Sequence, residues 1–234
     1  MFSTVTLVAA AIGTYVGLGA AVTYGRPPVP TATSPSGPVS RPPIHDRVVE
    51  GAWIAGIALV TLYPIAVIVA PNSMLSAPFA LRFPGDAYVE AIGIVVLALA
   101  VILLGTSFRA LGAFATVRLE VTDRHRIVQE GPYVGIRHPM YSAVIGTAIG
   151  ISLIFLGWLP SVVTVGLVLL AWIRSETEER LFLTDPRLAA EYEQYVARTG
   201  RFLPYPRGRR SRPASPLGGH RSTRGGSEVV RDER

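Results

Sequence analysis

The sequence predicts an all-α integral membrane protein with about five transmembrane helices, two of which form a tight helical hairpin. Half of its 234 residues are hydrophobic and only 16% are charged, whereas a soluble domain has about 25% charged residues. Several uncharged runs approach the roughly 20 helical residues that cross a bilayer core about 30 Å thick. This composition excludes a chain that is disordered throughout or collagen-like. The absence of Cys excludes disulfides and thiolate sites.

The first three predicted spans are separate uncharged runs. Phe2–Tyr24 lacks the basic residues that begin a secretory signal, so we expect a retained helix and not a cleaved leader. Gly51–Ala70 forms the second span, and Ala91–Gly105, with its flank from Ala87, forms the third. No ionisable residue lies within the predicted spans, which argues against a transport pathway.

The fourth run predicts the hairpin. Ser142–Ile173 contains 32 residues without a charge, which is too long for one crossing. Gly157-Trp158-Leu159-Pro160 interrupts it, so we expect two antiparallel helices joined by a tight turn. Gly146 and Gly150 have the spacing that lets helix backbones approach closely. The same spacing occurs at Gly13 and Gly17, and internal packing is favoured over a dimer contact at both pairs.

The arginines predict the orientation in the membrane. All 22 basic residues are Arg, and short cytoplasmic loops are enriched in such residues. The loops are alternately rich and poor in Arg, which predicts an external N-terminus and a cytoplasmic C-terminus in a plasma membrane that we take to be bacterial. The Arg residues of the rich loops are Arg26, Arg41 and Arg47 after the first span, and Arg109, Arg118, Arg124, Arg126 and Arg137 after the third.

The net charge of +6 comes mostly from the C-terminal end. Residues 207–234 contain eight Arg and three acidic residues, in a Gly, Ser and Pro-rich context that predicts a disordered tail. Attraction of this tail to anionic lipid explains the charge better than nucleic-acid binding does. We therefore predict three regions: 1–105 with three spans and a Pro-rich linker at 26–43, a core at 106–205 and a basic tail at 206–234.

Between the spans, local signals predict several short elements. Leu119–Val128 mixes β-branched and polar residues and predicts a short extended pair or an irregular loop. Pro139 biases His138 away from the helical region, so a helix is expected to begin at Pro139. Ser175-Glu176-Thr177-Glu178 has the spacing of a capping box, which favours a helix through about Leu183.

A second short helix is predicted near the C-terminal end of the core. Asp185-Pro186 is typical of a helix cap followed by proline at the first helical position. Leu188, Tyr192, Tyr195 and Val196 mark one face of this helix, and Gly200 is expected to end it.

Polar residues gather at the two ends of the predicted hairpin. Arg137, His138 and Tyr141 lie at its start, and Glu178, Glu179 and Arg180 lie just after its end. Because a hairpin brings its ends together, these side chains are predicted to meet at the membrane surface. Arg can bind a carboxylate through two parallel hydrogen bonds, and Glu and aromatic faces attract cations.

Each of these residues has an ordinary structural interpretation as well. Arg137 alone can be a membrane anchor, the tyrosines can be interfacial aromatics, and the Glu178–Arg180 run can be a solvated helix face. The four histidines show no metal-ligand spacing, and we expect no metal site.

The motif combination resembles the isoprenylcysteine carboxyl methyltransferase family and its relatives among the membrane phospholipid methyltransferases. The motifs are GPYVGIRHPMY at 131–141, an apolar hairpin, EERL at 178–181, EYEQY at 191–195 and RFLP at 201–204. The resemblance covers about Gly112–Tyr205. Two positions depart from the family pattern: Ala143 replaces a glycine, and Thr184 replaces a basic residue.

The resemblance implies methyl transfer from S-adenosylmethionine to a lipid or to a prenylated small molecule or protein. By position it assigns cofactor binding to Gln129, Gly131, Pro132, Tyr133, Arg137, His138, Pro139 and Tyr141, and catalysis to Glu178, Glu179 and Arg180. We expect the two glutamates to position the reactants electrostatically. A carboxylate acceptor needs no base, whereas an amine acceptor must lose a proton, which Glu179 or His138 could accept. The resemblance favours carboxyl methylation of the isoprenylcysteine type, with N-methylation of a phospholipid or other small lipid as the alternative. Other interpretations are an NADPH-dependent membrane reductase and a non-enzymatic scaffold or transporter accessory.

Overall fold

The computed structural model describes residues 4–25, 44–76, 78–111 and 127–204, which form a bundle of α-helices. No strand occurs in these ranges, and the all-α membrane fold is confirmed. The predicted linker 26–43, the segment 119–126 and the tail lie outside the described residues, and the division into three regions stays a prediction. The helices are α1 Thr4–Gly25, α2 Ile44–Val69, α3 Pro71–Met74, α4 Asp86–Leu111, α5 Pro139–Phe155, α6 Trp158–Thr184 and α7 Ala189–Arg198.

Five of these helices coincide with the predicted spans. Three are long and apolar enough to cross a membrane, namely Arg47–Val69 of α2, α4 and α6. The apolar part of α1, Ala9–Tyr24, and all of α5 are shorter. The predicted order of spans is therefore present in the bundle.

The start of α4 corrects the expectation that the spans contain no ionisable residue. This helix begins at Asp86 and includes Glu90, which is completely buried. Arg82 donates to Glu90 at 2.5 Å and lies 3.7 Å from Asp86. Both carboxylates are thus close to Arg82, which compensates their charge. The helix therefore begins at Asp86, before the start of the uncharged run at Ala91.

The hairpin between α5 and α6 is confirmed and is tighter than the four-residue turn predicted. Only Leu156 and Gly157 connect the two helices, and Leu156 has a φ of 50°. Pro160 lies in the first turn of α6, where its missing N–H leaves no hydrogen bond unmade. A Cβ on residue 157 would lie 2.5 Å from the Tyr63 hydroxyl, so the turn requires glycine.

Two predicted helix starts are wrong. No helix begins at Ser175, because α6 continues to Thr184 and the Ser175 hydroxyl donates to Trp172 O at 2.9 Å within the same helix. Asp185 ends α6, and its carbonyl accepts from Ala189 N at 3.0 Å as α7 begins. The predicted buried face of α7 is confirmed at Tyr192 and Tyr195.

Small residues allow α4 and α5 to pack closely. A Cβ on Gly150 would lie 2.9 Å from Leu97 N, and a Cβ on Gly146 would lie 3.0 Å from Ala100 Cβ. A Cβ on Gly93 would lie 2.7 Å from Ile154 N. The Gly146 and Gly150 pair is therefore an internal packing site, as favoured from the sequence. This contact holds α5 against α4 and so helps to position His138, the residue that precedes α5.

Candidate active site

A charged cluster forms where the start of α5 meets the end of α6. Both elements are positioned by the hairpin, whose ends lie side by side. We call this group the charged cluster; its members are Arg137, His138, Tyr141, Arg174, Glu178, Glu179 and Arg201.

The backbone around His138 follows from its neighbours. Gly131–Val134 forms a single 3₁₀ turn, which Gly131 enters with a φ of +56°. Pro139 occupies the first turn of α5, and His138 is the cap residue with an extended φ of −122°. The predicted helix start at Pro139 is confirmed. The side chain of His138 consequently leaves the end of the helix and is 8% exposed.

A second segment of chain supports the same loop. Arg137 N donates to Gly200 O at 2.8 Å, and His138 N donates to Arg201 O at 3.0 Å. The Ser142 hydroxyl donates to Phe202 O at 2.6 Å. These bonds join the segment after α7 to the start of α5, so Arg201 and Phe202 enter the site. Sequence reasoning assigned neither residue a role, although both belong to the RFLP motif.

His138 lies between the two adjacent glutamates. Its Nδ1 is 3.2 Å from Glu178 Oε2 and its Nε2 is 3.1 Å from Glu179 Oε1. An ionised carboxylate only accepts hydrogen bonds, so bonds to both glutamates require a proton on each ring nitrogen. Burial lowers the pKa of His138, but hydrogen bonds and charges from Glu178 and Glu179 outweigh it and raise the pKa above the ordinary 6.5. The imidazolium is therefore the form that this geometry holds.

Glu179 is the centre of the charged cluster. It accepts from Arg137 Nε at 3.0 Å, from His138 Nε2 at 3.1 Å and from Arg201 Nη2 at 2.7 Å. Arg137 also donates to the carbonyls of Val196 and Thr199. Arg137 is thus tied to the protein interior, which disfavours the membrane-anchor interpretation. Its guanidinium fixes Glu179 to the end of α7.

Glu178 faces the other side of the cluster. It accepts from the Tyr141 hydroxyl, which in turn accepts from Arg174 Nε at 3.2 Å. The Glu178 side chain is 25% exposed, against 11% for that of Glu179. Glu178 is therefore the carboxylate of the pair that a ligand reaches more easily.

Aromatic rings line the cluster on two sides. Trp53 of α2 meets Tyr141 edge-on at 5.1 Å between centroids, and the Arg174 guanidinium lies 5.9 Å from the Trp53 ring. On the other side Phe202 is 6.2 Å from both His138 and Trp172. Arg174, Trp53 and Trp172 were missed from the sequence because each lies in a run interpreted only as a membrane span or its end.

Several predicted site residues lie outside the cluster. Arg180 is exposed and pairs with Glu176 at 2.6 Å, one turn earlier on the same helix. Gln129 donates to Glu191 at 3.0 Å and accepts from Arg198. The expectation that Arg180 joins Glu178 and Glu179 is therefore corrected, because Arg180 lies about 200° around the helix from Glu178, on the opposite face of α6.

The Gly131-Pro132-Tyr133 turn contacts α7. Tyr133 is buried, and its carbonyl accepts from the Tyr195 hydroxyl at 2.7 Å. Burial raises the pKa of Tyr195 to about 12, so this hydroxyl keeps its proton for the hydrogen bond. The turn thereby holds α7 beside the cluster.

The raised pKa of His138 predicts a pH-dependent stability. The free energy that the imidazolium contributes is fully present below the unfolded value of 6.5 and is lost as pH rises through the raised folded value. We expect the thermal midpoint of the detergent-solubilised protein to fall over this rise in pH. His138→Gln should flatten the fall; an equal fall in that variant would contradict the assignment.

The family model described as phospholipid methyltransferase matches residues 88–185. No curated protein matches the chain. The matched segment begins in α4 and ends before α7, so it contains the hairpin, His138 and both glutamates, whereas Trp53, Arg201 and Phe202 lie outside it. Residues 88–185 of this membrane protein thus match the phospholipid methyltransferase family, a family of methyltransferases with lipid-like substrates that includes the isoprenylcysteine carboxyl methyltransferases.

Proposed function

We propose that this protein transfers a methyl group from S-adenosylmethionine to the carboxylate of a lipid-like acceptor of the isoprenylcysteine type. The observation that carries the proposal is the charged cluster itself, whose members other than Arg201 lie at the two ends of the hairpin inside the matched segment. We also propose that this end of the bundle faces the cytoplasm. The Arg-rich loop that precedes α5 supports that orientation.

The chemistry of the cluster fits S-adenosylmethionine, which has a sulfonium, an ammonium and a carboxylate. Glu178 and the Tyr141 and Trp53 rings suit the positive groups. Arg137 and His138 supply positive charge for the methionyl carboxylate. When bound, this cofactor would supply a methyl group on a positively charged sulfur. The acceptor oxygen would bond to the methyl carbon in line with the sulfur, which leaves as a neutral thioether.

The residues of this chain then have positioning roles. Glu179 holds Arg137, His138 and Arg201 in a fixed arrangement. Glu178 presents negative charge toward the reacting centre, and the aromatic rings exclude water from it. Arg180 receives no role, because it points away from the cluster.

The protonation of the cluster supports a carboxylate acceptor over an amine. An amine must lose a proton before it attacks, and His138 is already protonated between two carboxylates. Glu179 is occupied by three donors. A carboxylate is nucleophilic without a base, so it needs only alignment.

Methyl-labelled S-adenosylmethionine tests the proposal directly. Purified protein in nanodiscs is incubated with the label and either N-acetyl-S-farnesylcysteine or phosphatidylethanolamine. We expect label in the farnesylated acid, released as methanol by base, as is typical of an ester. Base-stable label in the phospholipid would instead indicate an amine methyltransferase.

A binding titration tests the cofactor separately from turnover. The protein is titrated with S-adenosylmethionine and with NADPH, alongside His138→Ala. We expect binding of S-adenosylmethionine that the substitution weakens. Binding of NADPH alone would favour a reductase, and binding of neither, or binding that His138→Ala leaves unchanged, would remove the proposal.

A further inference from the structure

An exposed apolar surface on α6 connects the outside of the bundle with the charged cluster. Trp172 of α6 is 54% exposed, and Leu169 and Val165, each 62% exposed, precede it on the same face of the helix. The Arg201 guanidinium lies 4.5 Å from the centre of the Trp172 ring. We call Val165, Leu169, Trp172 and Arg201 the α6 track. The α6 track leads from the apolar side chains of Val165 and Leu169 to the Arg201 guanidinium.

Two arginines lie on tryptophan rings at this end of the bundle, and they differ in accessibility. Arg174 is 3% exposed and donates to Tyr141. The Arg201 side chain is 22% exposed, and its Nη2 donates to Glu179 at 2.7 Å. Arg201 is therefore the arginine that a molecule moving along α6 would meet first.

The position of Arg201 is set by the fold and not by its own flexibility. His138 N donates to the Arg201 carbonyl, and the Ser142 hydroxyl donates to the next carbonyl, that of Phe202. Phe202 fills the space between Trp172 and His138. A guanidinium held 4.5 Å from the centre of the Trp172 ring donates hydrogen bonds with little further loss of side-chain freedom.

We propose that Arg201 is a specificity-determining residue that binds the carboxylate of the acceptor, while the acceptor's hydrocarbon chain lies along the α6 track. This inference rests on the function proposed above and narrows it. The acceptor class is an amphiphile whose carboxylate is only a few bonds from an apolar chain. Charge complementarity excludes a substrate that ends in an amine, and the track's apolar residues exclude a hydrophilic acid.

Equilibrium binding tests this proposal without any methyl transfer. S-farnesylthiopropionic acid and its primary amide are bound to the protein in nanodiscs, with Trp fluorescence as the readout. We expect the wild type to bind the acid about tenfold more tightly than the amide, as suits one charge-assisted contact. Arg201→Gln should bring the two affinities together, and Arg201→Lys should retain part of the preference.

Control variants separate this role from a structural one. Arg198→Gln removes one exposed charge at the same end of the bundle and should leave the acid-to-amide ratio unchanged. Trp172→Leu should weaken both ligands, because the ring supports the chain and the guanidinium. If Arg201 only holds Glu179, Arg201→Gln will weaken S-adenosylmethionine binding and leave the acid-to-amide ratio at its wild-type value, which overturns the inference.

The outcomes also distinguish this inference from the proposed function. Methylation of the farnesylated acid together with an acid-to-amide ratio that does not depend on Arg201 would keep the function and overturn the role of Arg201. Preferential, Arg201-dependent binding of the acid without methyl transfer would support the acceptor site and overturn the function. Equal affinity of the wild type for acid and amide would overturn the inference.

Discussion

Glu179→Leu is expected to abolish methyl transfer and to lower the thermal midpoint of the solubilised protein. The substitution leaves Arg137, His138 and Arg201 without their shared carboxylate. Removing one partner of a buried ion pair costs about 3–5 kcal/mol, because the remaining charge is buried and uncompensated. Thermal melting measures the loss of stability, and label transfer to the farnesylated acid measures the loss of activity.

Two further variants test the interpretation of this effect. Glu179→Gln keeps the shape and one acceptor oxygen but removes the charge, so we expect a smaller loss of stability and a clear loss of turnover. Full turnover of Glu179→Gln at saturating cofactor would show that the charge has no role in catalysis. Glu176→Leu serves as the control, since an exposed ion pair such as Glu176 with Arg180 contributes at most about 1 kcal/mol.

Gly150→Leu is also expected to lower the thermal midpoint and the activity, although Gly150 lies in the α4 and α5 contact and not in the charged cluster. A Cβ on this residue would lie 2.9 Å from Leu97 N, an atom of the α4 backbone that cannot rotate away. The helices would have to separate, and forced overpacking costs about 1–3 kcal/mol or more. Because α5 begins directly after His138 and carries Tyr141 in its first turn, its displacement should also weaken cofactor binding. Size-exclusion chromatography and thermal melting measure the fraction of folded protein.

Gly166→Leu is the matched control for this prediction. It places the same side chain in α6 at a position where a Cβ has open space among the described residues. Leucine is a better helix former than glycine, so this variant should melt at or above the wild-type temperature. Equal destabilisation of the two variants would show that the α4 and α5 contact is not the cause.

Long-range polar contacts explain why part of the site could not be predicted. The Arg137, His138 and Glu178–Glu179 motifs are close to a hairpin whose ends must meet, so their proximity follows from the sequence. Trp53 and Arg201 come from elements whose approach depends on how α2 and the segment after α7 pack. Local sequence patterns do not predict that packing. Arg180 shows the opposite error, since adjacency to Glu178 and Glu179 in sequence did not place it on their side of α6.

The helix boundaries also divide into those that the sequence predicts and those that depend on tertiary packing. The sequence by itself determined the all-α class, the order of the apolar helices, the hairpin and the start of α5, because bilayer length, proline and hydrophobic runs act locally. Only the tertiary structure decided that α6 passes through Ser175, that α4 includes Glu90, and that Glu179 is the shared partner of three cations. These outcomes depend on burial and on partners distant in sequence, which determine the free energy of a buried charge or hydroxyl.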